Sequence, residues 1–190
     1  MGLVGSGGVH ALHQHMIALI DLAERRRVAH VAIHALMDGR DTMPQSGLGY
    51  METLLRAARG RARVASIGGR YYGMDRDKRW DRVERWYAAA VKGTGPSAAD
   101  PLEVIHESYE QGVTDEFIEP RVIAKDGQPV HPMRDGDALI CVNYRADRMR
   151  QIVGALAQPD FDGFRTGPRP SLEIVTMTTY DRRIALPVAF

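Results

Sequence analysis

Arg70, Arg76, Lys78 and Arg79 crowd into one stretch, Gly69 to Trp80 (GRYYGMDRDKRW), together with Tyr71 and Tyr72. A guanidinium carries a planar fork of donors that matches two oxygens of a phosphate or carboxylate, so clustered arginines suit an anionic ligand. Asp75 and Asp77 lie among these cations. Taken alone, the stretch is therefore either an anion site or a solvated loop whose charges cancel.

Three further stretches carry side chains of the same chemistry. Asp38-Gly39-Arg40-Asp41 combines a cation with two acids, and Asp41 is suited to binding a hydroxyl or exchanging its proton. Arg145-Ala146-Asp147-Arg148 is predicted to open a helix. That places Arg145 and Arg148 on one face at the positive dipole end, where two cations need an anion, or Asp147, to offset them. His10 follows the glycine cluster Gly5-Ser6-Gly7-Gly8 and reads as a hydrogen-bonding or proton-transfer group. His10, His13 and His15 do not have the spacing of a metal site, and a helix would put His10 and His15 on different faces. The glycines lack the full dinucleotide fingerprint.

The elements that must position these groups alternate. Gly2 to Val4 reads as a first strand, and a helix is predicted to begin at Val9-His10, with Met16, Leu19, Ile20 and Ala23 inward. His30 to Leu36 is a second strand. Ser46 is placed to cap the next helix, which turns Leu48, Met51, Leu54, Leu55 and Ala58 to the core. Val64 to Ile67 is a third strand, with a helix from about Arg79 after it. Asp100-Pro101-Leu102-Glu103 starts another helix, which ends at Gly112. Val122-Ile123 and Pro129-Val130 flank Asp126-Gly127 as a hairpin, expected to be peripheral. Asp137 to Tyr144 is a fourth core strand, apolar enough to be central, and Glu173 to Met177 a last one.

Four strand-loop-helix repeats predict an α/β fold in three layers, a mostly parallel central sheet flanked by helices. Ligands in such sheets lie outside the carboxyl ends of the strands. His10 follows strand one, Asp38, Arg40 and Asp41 follow strand two, Arg70 and Arg76 strand three, and Arg145 and Arg148 strand four. One rim can thus collect them, which favours the anion site over four unrelated solvated loops.

The chain of 190 residues fits one domain, and its net charge of +1 argues against a dominant nucleic-acid surface. The lone Cys141 permits no internal disulfide, which fits a reducing cytoplasm, and its apolar surroundings predict a buried, inert thiol. No secretory signal or membrane-spanning run is present in the sequence. Met1 leads almost directly into a strand and Leu186 to Phe190 lacks a polar tail, so both ends are expected to be cut from something larger.

Six stretches together resemble the 2,3-bisphosphoglycerate-independent phosphoglycerate mutase family. They are Gly7-Gly8-Val9-His10, Asp38-Gly39-Arg40-Asp41-Thr42, Gly69 to Trp80, Gly112-Val113-Thr114-Asp115-Glu116-Phe117, Asn143-Tyr144-Arg145-Ala146-Asp147-Arg148, and Thr176-Met177-Thr178-Thr179-Tyr180-Asp181. The likeness runs from Gly2 to Phe190 in the family's order. It implies a two-domain glycolytic isomerase that interconverts 3-phosphoglycerate and 2-phosphoglycerate by phosphotransfer. A phosphatase-like domain carries two divalent metal ions, usually manganese, and the serine that takes up the phosphoryl group. The 190 residues resemble the inserted substrate-binding (transferase) domain alone. The resemblance makes His10, Arg40, Asp41, Arg70, Arg76, Arg145 and Arg148 substrate contacts, with Asp41 and His10 in the catalytic roles. It places no metal in this chain, and Ser6 matches no nucleophile. The first loop departs from the family, with Gly5-Ser6 for Ser-Asp and Ala11-Leu12 for Ser-His, and Met43 stands for a common proline. The isolated chain is expected to be inactive. A non-catalytic module that binds phosphorylated acids is the competing reading.

Overall fold

The computed structural model describes residues 1–190. Strands β1 (Gly2–Val4), β2 (Ala32–Met37) and β3 (Arg63–Gly69) pair in parallel, as the alternation requires. Helices α1 (His13–Arg25) and α2 (Gly47–Ala58) make the crossovers. After β3 come one helical turn, α3 (Arg70–Gly73), then α4 (Trp80–Tyr87), which runs on through a π-turn at Ala88–Lys92. The short β4 (Ser97–Ala98) leads to α5 (Pro101–Glu110), and β5 (Arg121–Lys125) and β6 (Gln128–Pro129) form the expected hairpin around Asp126-Gly127. β7 (Ala138–Cys141), α6 (Arg150–Ala157) and β8 (Glu173–Thr176) complete the chain. No helix is long and apolar enough to cross a membrane.

The strand period of two sorts β2 between two cores. Ile33, Ala35 and Met37 join Met16 and Ile20 of α1, Met51 and Leu54 of α2, and Val104 and Ile105 of α5. Leu36 joins Val83, Trp86 and Tyr87 of α4 and Ile152, Val153 and Leu156 of α6. Helices therefore cover both faces and the three layers follow.

Two strands are placed differently from expectation. β5 is no peripheral excursion: it pairs antiparallel with β3 and parallel with β4, inside the main sheet of order β1-β2-β3-β5-β4. Asp137 to Tyr144 is not a central strand of the main sheet. β7 pairs in parallel with β8 in a two-stranded sheet of its own, and its Ala138 and Ile140 are exposed, alternating with buried Leu139 and Cys141. A run can be wholly apolar without being covered on both faces. The β7–β8 pair is tied to β1 by Met1, whose N–H group donates to Ile140 O while its carbonyl accepts from Val142 N–H. Leu3 N–H donates to Asn143 Oδ1 at 2.9 Å one step further on, so β7 runs alongside β1 in the same direction.

Helix starts differ as well. α1 begins at His13, not His10, and α6 begins at Arg150, so Arg145 and Arg148 precede the helix instead of opening it. The dipole reasoning for that arginine pair does not apply. Asp100 caps α5 as expected, accepting from Leu102 N–H at 2.8 Å. Ser46 does not cap α2: its hydroxyl donates back to Met43 O at 2.7 Å. The cap comes from Asp115, fully buried, whose Oδ2 accepts from Ser46 N–H (3.0 Å) and Gly47 N–H (2.7 Å). Asp115→Ala leaves two helix-end donors and the Tyr109 hydroxyl without their acceptor, for an expected loss of about 2–4 kcal/mol. Ser46→Ala should cost less than about 0.5 kcal/mol. Urea unfolding of the two variants reads the difference directly, and equal costs would refute the assignment of the cap.

Candidate functional site

Arg70 opens α3 with 2 % of its surface exposed, at the carboxyl end of β3. A buried guanidinium needs counter-charge, and two acids from the loop after β2 provide it. Its Nη1 donates to Asp38 Oδ1 at 2.7 Å and to Asp41 Oδ2 at 2.6 Å. The same Asp38 Oδ1 accepts from Arg40 N–H (3.2 Å) and Asp41 N–H (3.0 Å), closing the loop into a turn that presents Asp41. Burial pushes the Asp41 carboxyl up, but the Arg70 hydrogen bond and charge outweigh this and hold it below its ordinary range.

The loop after β2 and the end of β3 are wedged against Asp115-Glu116. At Gly39, with φ +64°, an added Cβ would meet Glu116 N at 2.7 Å, and at Gly69 it would collide with Glu116 O. Only glycine permits this approach. One turn of backbone thus sets both the Asp41 loop and the Arg70 helix.

His10 enters from the loop after β1. Its carbonyl accepts from Tyr144 N–H at 2.9 Å and Arg145 N–H at 3.4 Å, which docks that loop on the segment after β7. The ring is buried between two carboxylates, Nε2 lying 4.0 Å from Asp41 Oδ2 and Nδ1 3.8 Å from Asp147 Oδ1. Asp147 Oδ2 accepts from Arg76 Nη1 (3.1 Å) and Arg145 Nη2 (3.0 Å). Arg148 is half-buried and donates to Met74 O at 3.1 Å. Burial and then repulsion from Arg70, Arg76 and Arg40 lower its pKa from the ordinary value.

His10, Asp41, Arg70, Arg76, Arg145 and Arg148 are therefore brought together, by contact or within electrostatic reach. Arg40 stands at the edge, exposed and 3.4 Å from Glu116 Oε1. Two acids have more partners than the sequence indicates: Asp38, expected at the rim but with no role of its own, holds Arg70, and Asp147, expected only to offset Arg145 and Arg148, bridges Arg76 and Arg145. An acid inside a basic run (Arg145-Ala146-Asp147-Arg148) was the available signal for the second. A cleft of about 420 Å³ shares Arg76 and Asp147 with this cluster and continues past Lys78, Trp80, Arg150 and Arg183.

The donor set does not suit a divalent cation. Asp38, Asp41 and Asp147 are each committed to guanidiniums, and no three His, Cys, Asp or Glu side chains gather as ligands. His13 bonds Gly5 O through Nδ1 at 3.1 Å, while His15 lies edge-on to Tyr144. The arrangement instead gathers guanidiniums around one histidine, which suits an anion.

Burial foremost, with Arg70 adding, depresses His10 to about 4 from 6.5. The unfolded chain then binds more protons between those values, so stability rises with pH across pH 4–6.5 and falls as pH drops through it. His34, buried against Ser66 and depressed to about 3, contributes in the same sense. His10→Gln should flatten part of this slope and leave the His34 part. Urea midpoints at pH 4.5 and pH 7 measure it, and an unaltered slope would contradict the neutral, buried His10.

The sequence profile of the family described as BPG-independent PGAM N-terminus matches residues 1–182. The chain is 49% identical to the 2,3-bisphosphoglycerate-independent phosphoglycerate mutase of Moorella thermoacetica and 50% identical to that of Myxococcus xanthus. In each case the match takes in 100% of this chain and 38% of the relative, so the chain spans 38% of the length of these curated relatives. A crystal structure of Leishmania mexicana phosphoglycerate mutase at low cobalt concentration is similar with a TM-score of 0.90 and 32% identity, over 95% of this chain and 35% of that one. A chain with this fold, this extent of identity and a family profile matching nearly its whole length belongs to the BPG-independent phosphoglycerate mutase family, as its N-terminal region.

Proposed function

We propose that this chain is the substrate-binding domain of a cofactor-independent phosphoglycerate mutase, inserted in a longer cytoplasmic polypeptide whose phosphatase-like part holds the metal ions and the phosphoryl acceptor. The observation that carries this is the gathering of Arg70, Arg76, Arg145 and Arg148 around His10 and Asp41 at one sheet edge. Phosphoglycerate bears a phosphate and a carboxylate, and guanidinium forks match both.

Each residue has a role in that reading. Arg76 and Arg145 are the more exposed forks and take the incoming anionic group. Arg70 and Arg148 set the positive field behind them. Departure of the phosphoryl group from one glycerate oxygen leaves that oxygen needing a proton, and its return to the neighbouring hydroxyl needs one removed. Asp41, kept ionised by Arg70, accepts the proton of the attacking hydroxyl and can return it to the vacated oxygen. His10, uncharged at neutral pH, hydrogen-bonds the glycerate hydroxyls without repelling the arginines. The two divalent ions, manganese in our reading, supply charge stabilisation and nucleophile activation in the other domain when bound. Taken by itself the chain is then a phosphorylated-acid-binding module.

Calorimetry with 3-phosphoglycerate tests the binding. Arg76→Ala should weaken it about tenfold, or about 1.5 kcal/mol, the low end for a charged hydrogen bond because Arg76 gives up Asp147 to bind. Arg76→Lys should recover only part, since the fork is lost. Absence of binding by the unaltered chain would sink the reading. In a coupled assay for 2-phosphoglycerate the purified chain should show no turnover, with or without manganese, because positioning alone supplies no phosphoryl acceptor. Turnover that follows the chain through purification would show a complete enzyme instead.

A further inference from the structure

Asp147 lies against three residues of the site, Arg76, Arg145 and His10, yet an ionised carboxylate repels an anionic ligand group. Its Oδ2 accepts from both Arg76 and Arg145, and Arg145 Nε lies 3.0 Å from Oδ1. The Arg145 fork is thus laid over both carboxylate oxygens, the arrangement it would make with a ligand carboxylate or phosphate. Burial pushes the Asp147 carboxyl up, but Arg145 and Arg76 prevail and hold it below its ordinary range.

A second observation concerns the histidine. His10 Nδ1 and Asp147 Oδ1 are both buried, neither has an aligned hydrogen-bond partner, and they face each other at 3.8 Å. On the far side of the ring Nε2 stands off Asp41 Oδ2 at 4.0 Å. A neutral imidazole has one N–H to give, and here two carboxylates compete for it at distances just beyond bonding.

Resting on the phosphoglycerate-binding reading above, we infer that Asp147 is the resident anion of the site: it holds Arg76 and Arg145 until a ligand anion takes them, then closes on His10 Nδ1 and fixes that ring's tautomer. With its two cations withdrawn, Asp147 becomes the stronger acceptor. A shift of roughly 1 Å brings it within hydrogen-bond distance of Nδ1. The ring proton then resides on Nδ1, and Nε2 presents a lone pair beside Asp41, toward a ligand hydroxyl. Anion recognition by the arginines thereby sets the hydrogen-bonding sense of a histidine that contacts neither of them through its ring. Asp147 is on this account a positioning residue.

The test uses the 190-residue chain, inorganic phosphate and 3-phosphoglycerate as probes, calorimetry for affinity and ¹⁵N NMR of the His10 ring for tautomer. Asp147→Asn keeps the shape and removes the competing charge. Phosphate should then bind about fivefold tighter or better at low ionic strength, the scale of an exposed ion pair. Saturating phosphate should move unaltered His10 to the Nδ1–H tautomer, and Asp147→Asn should abolish that response. Asp147→Glu, which restores a charge, should return phosphate affinity toward that of the unaltered chain. Asp147 is part-exposed at the surface, and thermal unfolding checks that each variant is folded. If folded Asp147→Asn binds phosphate more weakly, the residue merely aligns the arginines and the inference fails while the binding reading stands. If phosphate leaves the unaltered His10 tautomer unmoved, the inference fails likewise. If the unaltered chain binds neither anion, both fail together.

Discussion

The buried pairing of Arg70 with Asp38 and Asp41 is the constraint on which the site depends. Removing a guanidinium from water costs several kcal/mol unless its charge and donors are met. Asp38 meets it from a position as buried as Arg70 itself, while Asp41 is a fifth exposed on its side chain. The two acids are therefore not equivalent. Asp38 is locked, with one oxygen bonded to Arg70 and to two backbone N–H groups. Asp41 shares Arg70 with the buried Asp38, so in the proposed function its carboxylate can turn to a ligand and exchange a proton without leaving Arg70 unpaired.

The same logic extends outward. Four guanidiniums, Arg70, Arg76, Arg145 and Arg148, stand against three carboxylates, Asp38, Asp41 and Asp147. The site therefore keeps a small positive excess without a ligand. Keeping His10 neutral holds that excess from growing, and burial is what keeps it neutral. Exposure rises along the row, from Arg70 at 2 % to Arg76 and Arg145 at 47 %. Fixed charges lie deep, and exchangeable ones lie where a ligand arrives.

Much of this architecture was legible in the sequence, for physical reasons that also explain the failures. Local patterns worked where the partner was local: Asp100 before Pro101 caps α5, and Asp126-Gly127 turns the hairpin. Alternating strands and helices placed His10, Asp41, Arg70 and Arg145 after successive parallel or flanking strands, and topology brought them together. Sequence reading failed where the partner was remote. Ser46 looked like the cap of α2, but Asp115, 69 residues from Ser46, reaches the helix first. β7 looked central because its run is apolar, yet apolar composition records what a strand tolerates, not which neighbours it finds. The β5–β6 hairpin reads as peripheral because the chain's character changes between Pro120 and Pro132, while the pairing of β5 with β3 is decided by a long-range register. Asp147 was read as a local offset to Arg145 and Arg148. Its bond to Arg76 and its place beside His10 arise only when the β3 and β7 loops meet.

That meeting of loops also sets which parts of the site are anchored to one another. His10 is fixed through its own carbonyl to the backbone at Tyr144 and Arg145, so the histidine moves with the segment that carries Asp147. Arg70 and Asp41 are fixed instead through the Asp115-Glu116 turn pressed against Gly39 and Gly69. The cluster is thus assembled from two halves, one built on β1 and β7, the other on β2 and β3. Across the seam run contacts that are long or part-exposed: His10 to Asp41 at 4.0 Å, and Arg76 to Asp147 at 3.1 Å with Arg76 47 % exposed. Within the β2–β3 half the Arg70–Asp38 bond is short and buried. A ligand anion that draws Arg76 and Arg145 to itself replaces the weakest bonds of the site and leaves the strongest intact. Binding can therefore rearrange charge at the seam while the sheet edge that supports it stays in place.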